Sequence, residues 1–452
     1  TGDYAEAYLT NCLLTAVGYT NGFSGLSNVV LASASGVYET VGGGRHYLAA
    51  NSPYRNAGTT NINPGLAVEL KRLTTYPPEV LTNRITVDTV LAPQAQRDTD
   101  TPDLGYHYAP LDFAVSGLQV TNATLVLTNG VAVATFGSLG LWLDSGAQLV
   151  SLGQPHLRNH LCHYAAVQEQ AGGWGEGSLT NHCAVQVCGP EAPPLVRLAF
   201  TDFDGLAGRG PHLSSLDGDW ALGGLRAWDC AFHAGEVRLG GTETAVLAFT
   251  NSLWERVPVQ MSSVATLHSQ NNLFWQSALE LWGWGNSAWQ FHDNAFVGCS
   301  LSSFFVSEPN QSHNAYISMA DRLTPTNGTE VITNQLGFQV GPLGRFYQPA
   351  DSLLLNAGSR LASEAGLYHY TTTTNQVKET NSVVDIGLHY VAVSYVDGQW
   401  LPVDTDGDGW PDYFEDRNGN GQADSGETDW HNYTSPNGLS GGLPLQVFTP
   451  LK

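Results

Sequence analysis

The chain has 452 residues, with 18 basic against 41 acidic side chains and a formal net charge of −23. That balance excludes nucleic acid and anionic membrane surfaces as partners, and no apolar run reaches the ~18 residues a membrane-spanning helix needs. Only 13% of residues are charged, against a usual fraction of about 25%, so the surface must be built largely of Thr, Ser, Asn, Gln and Gly.

The length supports two or three domains with large cores. No secretory leader is legible at the start, so an extracellular protein would begin here at a processed or truncated end.

The first hundred residues carry motifs that recur. Gly44-Arg45-x-Tyr47-x-x-Ala50-x-Ser52-x-x-x-Asn56-Ala57-Gly58 reappears as Gly344-Arg345-x-Tyr347-x-x-Ala350-x-Ser352-x-x-x-Asn356-Ala357-Gly358. Asp103-Leu-Gly-Tyr-His-Tyr108 is matched by Asp385-Ile-Gly-Leu-His-Tyr390, and Asn11-Cys-Leu-Leu is paired with Asn314-Ala-Tyr-Ile. Residues 1–108 therefore read as the closing part of a module whose complete copy spans 109–390.

That copy opens with short apolar runs at Leu118, Thr124, Val131 and Leu141, divided by Asn129-Gly130 and Ser145-Gly146; these predict strands separated by tight turns. The stretch 153–185 is rich in His and Cys and reads as a loop or cap. His160, Cys162, His163, His182 and Cys183 match no tetrahedral zinc spacing. A local bridge among Cys162, Cys183 and Cys188 is expected instead, with Cys230 and Cys299 as buried thiols in apolar surroundings.

Next comes Thr201-Asp-Phe-Asp-Gly. Asp202 and Asp204 are candidate catalytic carboxylates, with Asp217, Asp219, Arg209 and Arg226 close in sequence. A glycoside hydrolase needs two carboxyls roughly 5–9.5 Å apart; a uronate lyase needs a base beside a carboxylate-bound cation. The bland reading is that both acids cap a turn.

From 229 to 317 an amide or carboxylate followed by apolar and aromatic residues recurs every 20 to 22 positions: Asp229, Asn251, Asn272, Asn294 and Asn314. That period suits one coil of a parallel β-helix, with the Asn side chains stacked as a ladder and the aromatic rings stacked inside. Trp282, Trp284 and Trp289 form a candidate carbohydrate-stacking platform, against the reading that they are core.

Residues 404–427 hold two twelve-residue loops in phase. Oxygen side chains fall at loop positions 1, 3, 5, 9 and 12 both times: Asp404, Asp406, Asp408, Asp412 and Glu415, then Asp416, Asn418, Asn420, Asp424 and Glu427. Gly409 and Gly421 take the sharp turn, and Trp410 and Gln422 would offer backbone carbonyls. The spacing supplies the oxygens that calcium requires, so two ions are expected. Pro402 and Pro411 argue against long flanking helices. The tail beyond carries an apolar extended run from Leu443 to Leu451, suited to adding as a strand to a second copy.

These motifs carry two resemblances. The tandem loops resemble thrombospondin type 3 calcium repeats and, more loosely, dockerin modules, which implies an extracellular setting and a structural ion. The Ser-x-x-x-Asn-Ala-Gly and Asp-x-Gly-x-x-Tyr pairing resembles the closing segment of right-handed parallel β-helix (pectate-lyase-like) domains in large bacterial secreted and surface proteins. Together they imply an all-β solenoid: a partial module (1–108), a complete β-helix (109–390), a calcium-loop module (391–430) and an extended tail (431–452).

The expected function is a non-catalytic structural protein, extracellular or on the cell surface. It would be stapled by two calcium ions and self-assemble head to tail with other copies into a layer or filament. The alternative is a β-helix protein that binds or cleaves an extracellular polysaccharide, as a lyase or glycoside hydrolase. A flank groove with clustered acids and aromatics would mark the second.

Overall fold

The computed structural model describes residues 7–433 except 43, 168–182, 190, 206–209, 216–221, 263–265 and 284–286. Trp284, Arg209, Asp217, Asp219, His182 and the tail from 434 onward lie outside the described residues.

The chain forms a parallel β-helix. Each coil sends one short strand to each of three sheets. Leu253–Glu255 lies in sheet one, Pro258–Ser262 in sheet two and Thr266–Gln270 in sheet three. The next coil lays Leu273–Trp275, Ala278–Gly283 and Ala288–His292 on top, all parallel and in register. Among the described residues sheet one has eleven strands, and sheets two and three merge into sixteen because Glu236–Thr250 runs through the corner between them. Alternation explains why these runs are strands: Ala278–Gly283 is exposed and buried at alternate residues, so one face fills the interior and the other meets solvent or a second layer.

In-register stacking puts like residues over like. Phe203, Phe232, Trp254, Phe274, Phe296 and Tyr316 form one column, with neighbouring centroids 4.3 to 5.5 Å apart and planes within 15°. Aromatic pairs at such spacings add stabilisation beyond their buried area.

The amide ladder is shorter than its sequence period suggested. Asn272 donates to Asn294 and Asn294 to Asn314, each at 3.0 Å. The same Oδ1 atoms accept from the backbone of Ser252, Asn272 and Asn294. Asp229 and Asn251 are not rungs. They sit one residue earlier in their coils, in the left-handed conformation (φ 56° and 50°), as do Asn271 and Asp293. Asn and Asp tolerate that conformation. The sequence period had merged two adjacent columns, because the same residue types satisfy both.

The second helix reaches back before residue 109. Glu79–Leu81 pairs with Phe113–Val115, Ile85 bridges to Val120, and Thr89–Leu91 pairs with Thr124–Leu127. The recurring motifs build the same closure twice. Asn56 N donates to Asp103 at 2.7 Å and Asn356 N to Asp385 at 2.6 Å. Gly58 and Gly358 must be glycine: a Cβ would stand 2.5 Å from Pro102 O and 2.4 Å from Val384 O. The partner of Asn11 is not Asn314. Asn11 accepts from Thr59 N as Asp293 accepts from Ser359 N, both at 2.7 Å, whereas Asn314 has Asn28 as its counterpart. The contacts thus shift the sequence pairing by one coil.

Cys12, Cys162, Cys188, Cys230 and Cys299 are free thiols, so no bridge joins Cys162 or Cys188 to Cys183. Strands set the reason: Cys162 lies in sheet one and Cys183 in sheet two. Among the described residues no helix is long and apolar enough to cross a membrane. After the closure, the hairpin Val393–Val396 and Gln399–Pro402 leads into the acidic loops, where the one-turn helix Asp412–Glu415 follows Pro411.

Candidate functional site

The outer face of sheet one changes character along its length. In one column His160 is followed by Asp202, Ala231 and Leu253; in the next, Cys162 by Asp204, His233 and Glu255. Further on the columns turn apolar, with Leu273, Ala295, Ala315 and Trp275, Val297, Ile317. There the closing segment covers them with Phe346, Leu354, Ile386 and Leu388. Over the earlier coils the segment stands off and leaves a cavity of about 390 Å³, walled by Asp202, Asp204, His233 and Glu255 on one side and by Arg345, Phe346 and Tyr390 on the other.

Arg158 organises one end. Its Nε donates to Asp202 at 2.7 Å and its Nη2 to the Asp229 carbonyl at 2.7 Å, while the guanidinium lies 5.8 Å from the Phe200 ring centre. His160 Nδ1 is 3.5 Å from Asp204 and 3.9 Å from Asp202. At the other end, Glu255 meets His233 at 3.0 Å and is also held by Arg345.

These contacts spread the proton affinities. Burial acts to raise Asp204, but the hydrogen bond from His160 and the charges of His233 and His160 hold its carboxyl below the usual carboxylate range. Burial acts to lower His160, yet Asp204 and Asp202 raise it above an ordinary histidine. Asp229 is pushed up to about 6 by burial, against hydrogen bonds from Asn251 and Tyr370. Groups whose environments separate their pKa values in this way can divide acid and base roles. Asp202 and Asp204, two apart on one face of a strand, have Cα atoms roughly 7 Å apart by strand geometry.

The sequence candidates fare unequally. Asp202 and Asp204 lie on the strand Thr201–Asp204 rather than in a turn, which corrects the capping reading. His160, Cys162 and His163 are not gathered as ligands: His160 faces the two aspartates and the Cys162 thiol donates to Val133 O. Trp289 is buried against Phe291 and Phe305, so it is core and not a stacking face. Trp282 is partly exposed beside Phe304 on sheet two. Sequence reading did not find Arg158, His233, Glu255 or Arg345. A signal existed for two of them: the residue after each stacked ring faces outward, so Phe203-Asp204, Phe232-His233 and Trp254-Glu255 spell the column.

The two acidic loops differ in how well a cation fits. In the first, single oxygens of Asp404, Asp406 and Asp408 lie within 4.8 Å of one another. Asp406 Oδ2, Asp408 Oδ2 and both Glu415 oxygens are buried with no hydrogen-bond partner. Burial and the crowding of Asp408, Asp406 and Asp412 push Glu415 up to about 7. Gly407 and Gly409, at φ 76° and 95°, turn the backbone so that Asp404 accepts from both their amides. Orphaned carboxylate oxygens facing one another fit a hard cation. Asp412 is already engaged by Thr405 and Lys378.

The second loop is satisfied internally. Asp416 accepts from Gly421 N at 2.7 Å and pairs with His369 at 3.0 Å. Asn418 and Asn420 donate to Asp424, and Glu427 accepts from the backbone of Asn418 and Asp424. Gln422 N bonds Asn420.

No family model, curated protein or solved structure matches this chain.

Proposed function

We propose that this protein is an extracellular, calcium-stabilised β-helix that binds and hydrolyses an extended neutral polysaccharide in the cleft between sheet one and the closing segment. The observation that carries this reading is the cavity itself, where Asp202, Asp204, Glu255 and His233 meet on a sheet whose other part is sealed, with His160 beside the two aspartates at its edge. Its acids outnumber its arginines, and Arg158 and Arg345 are each committed to a carboxylate. That arrangement disfavours a polyuronate and suits an uncharged glycan.

His160, whose hold on its proton is strengthened by its two aspartates, donates that proton to the glycosidic oxygen as that bond breaks. Asp204 stays ionised and faces the positive charge that develops at the sugar ring. Water attacks the anomeric carbon, and Asp202 takes the proton that water gives up. Phe200 and Phe346 supply apolar walls for the sugar faces. In the first acidic loop, Asp404, Asp406, Asp408 and Glu415, with the Trp410 carbonyl, would hold a calcium ion as a staple, whereas the oxygens of the second loop are already met by its own hydrogen bonds.

The test is reducing-sugar release from a panel of neutral and acidic polysaccharides. Wild type should act on a neutral member, and Asp204→Asn should lower the rate by 100-fold or more with the melting temperature unchanged. Equal rates in both would refute the assignment.

A second reading, the self-assembling structural rod, draws on exposed Tyr8, Phe23 and Val30 along the first two coils. Sedimentation in calcium giving a single monomeric species would sink it.

A further inference from the structure

We infer that the first acidic loop and the cleft form one mechanical unit, joined through Tyr413 and Phe200, so that loading the loop with calcium orders the Asp202 side of the cleft. The inference builds on the cleft reading above and assigns it a regulator.

The link is short. Tyr413 lies between Asp412 and Glu415 in the one-turn helix of the loop. Its ring meets Phe200 edge-on at 5.8 Å. Phe200 forms the corner between Leu195–Ala199 and Thr201–Asp204 and lines the cavity. It holds φ at 45°, a left-handed conformation that is strained for a bulky residue and persists only when its surroundings enforce it. Those surroundings include Tyr413 and Tyr370. Two residues on, Asp202 is bound to Arg158, whose guanidinium lies over the same ring.

A second strut runs parallel to the first. Tyr370 donates its hydroxyl to Asp229 at 2.9 Å. The adjacent His369 pairs with Asp416 at 3.0 Å and lies 3.9 Å from Asp412. The first strut starts in the first loop and the second at the junction of the two loops, at Asp416 with Asp412 beside it; both end in the cleft wall. Without a cation, Asp406, Asp408 and Glu415 face one another with buried, unpartnered oxygens. Their repulsion acts on the helix that carries Tyr413. Linkage makes the coupling reciprocal: damage at Phe200 must weaken calcium binding.

The test needs no glycan. Calcium affinity of the full chain is measured by calorimetry in wild type, Phe200→Ala and the milder Phe200→Leu, with hydrogen exchange followed before and after chelation. Phe200→Ala should bind calcium about tenfold more weakly, within the usual range of such couplings, and Phe200→Leu less so. Chelation should speed exchange in residues 199–204 while residues 273–283 and 288–297 stay protected. Unchanged affinity in both variants, or exchange at 199–204 indifferent to chelation, overturns the coupling. Failure of the glycan reading would show separately, as intact coupling with no polysaccharide bound.

Discussion

Sheet one presents one surface with two fates. Over Leu273, Ala295 and Ala315 its outer columns are apolar and lie under the closing segment as a second core. Over Asp202, Asp204, His233 and Glu255 the same columns are charged, and between them and the same segment lies the cavity, bridged at one end by Arg345 on Glu255. The interior column of rings continues beneath both parts, so the fold does not demand the difference. A solenoid's interior fixes its stability, and its outer face is free to be either covered or used. Where hydrophobic burial is given up and charges are gathered in its place, binding chemistry is the economical explanation.

The contrast can be broken most forcefully in the covered part. Leu273→Asp would bury an unpaired carboxylate beneath the closing segment and should cost about 4 kcal/mol or more in chemical denaturation.

An intermediate effect comes from His212, at the corner beside the open part. Burial pushes its pKa down to about 4, although its Nε2 reaches the Ala234 carbonyl. Its unfolded value is near 6.5, so the unfolded chain binds the proton more tightly. The stability involved is fully present above about pH 6.5 and is lost as pH falls toward 4. Urea midpoints at pH 7 and 4.5 should show a loss of about 2 to 3 kcal/mol from this group. His212→Phe, stacking with Phe203 and Phe232, should flatten that slope.

The smallest stability effect belongs to the open part itself. Asp204 is substantially exposed, and Asp204→Asn should shift stability by no more than about 0.5 kcal/mol. A cost as large as that of Leu273→Asp would mean that the charged columns are structural after all.

Much of the fold was legible. The period of 20 to 22 residues announced the coils, and Asp103 and Asp385 announced the repeated closure. The column register was not legible, because Asn and Asp satisfy both the ladder and the left-handed corner, so Asp229 and Asn251 looked like rungs. Asp202 and Asp204 stood out as carboxylates close in sequence. Arg158, Glu255 and Arg345 did not, because coils of unequal length bring them together from positions up to 187 residues apart. Trp289 was open between a stacking face and core, and the structure gives core: alternation sets which side chain turns inward, and a one-residue slip reverses it. The loop oxygens were read from spacing alone, but the contrast between an orphaned first loop and a self-satisfied second depends on hydrogen bonds that no spacing reveals.

Hydrogen exchange of the full chain with and without a bound neutral oligosaccharide tests the central claim most directly. The account predicts added protection at Asn159–His163, Thr201–Asp204 and Ala231–His233. Protection confined to the Trp282 and Phe304 flank, or none with any neutral glycan, would contradict it.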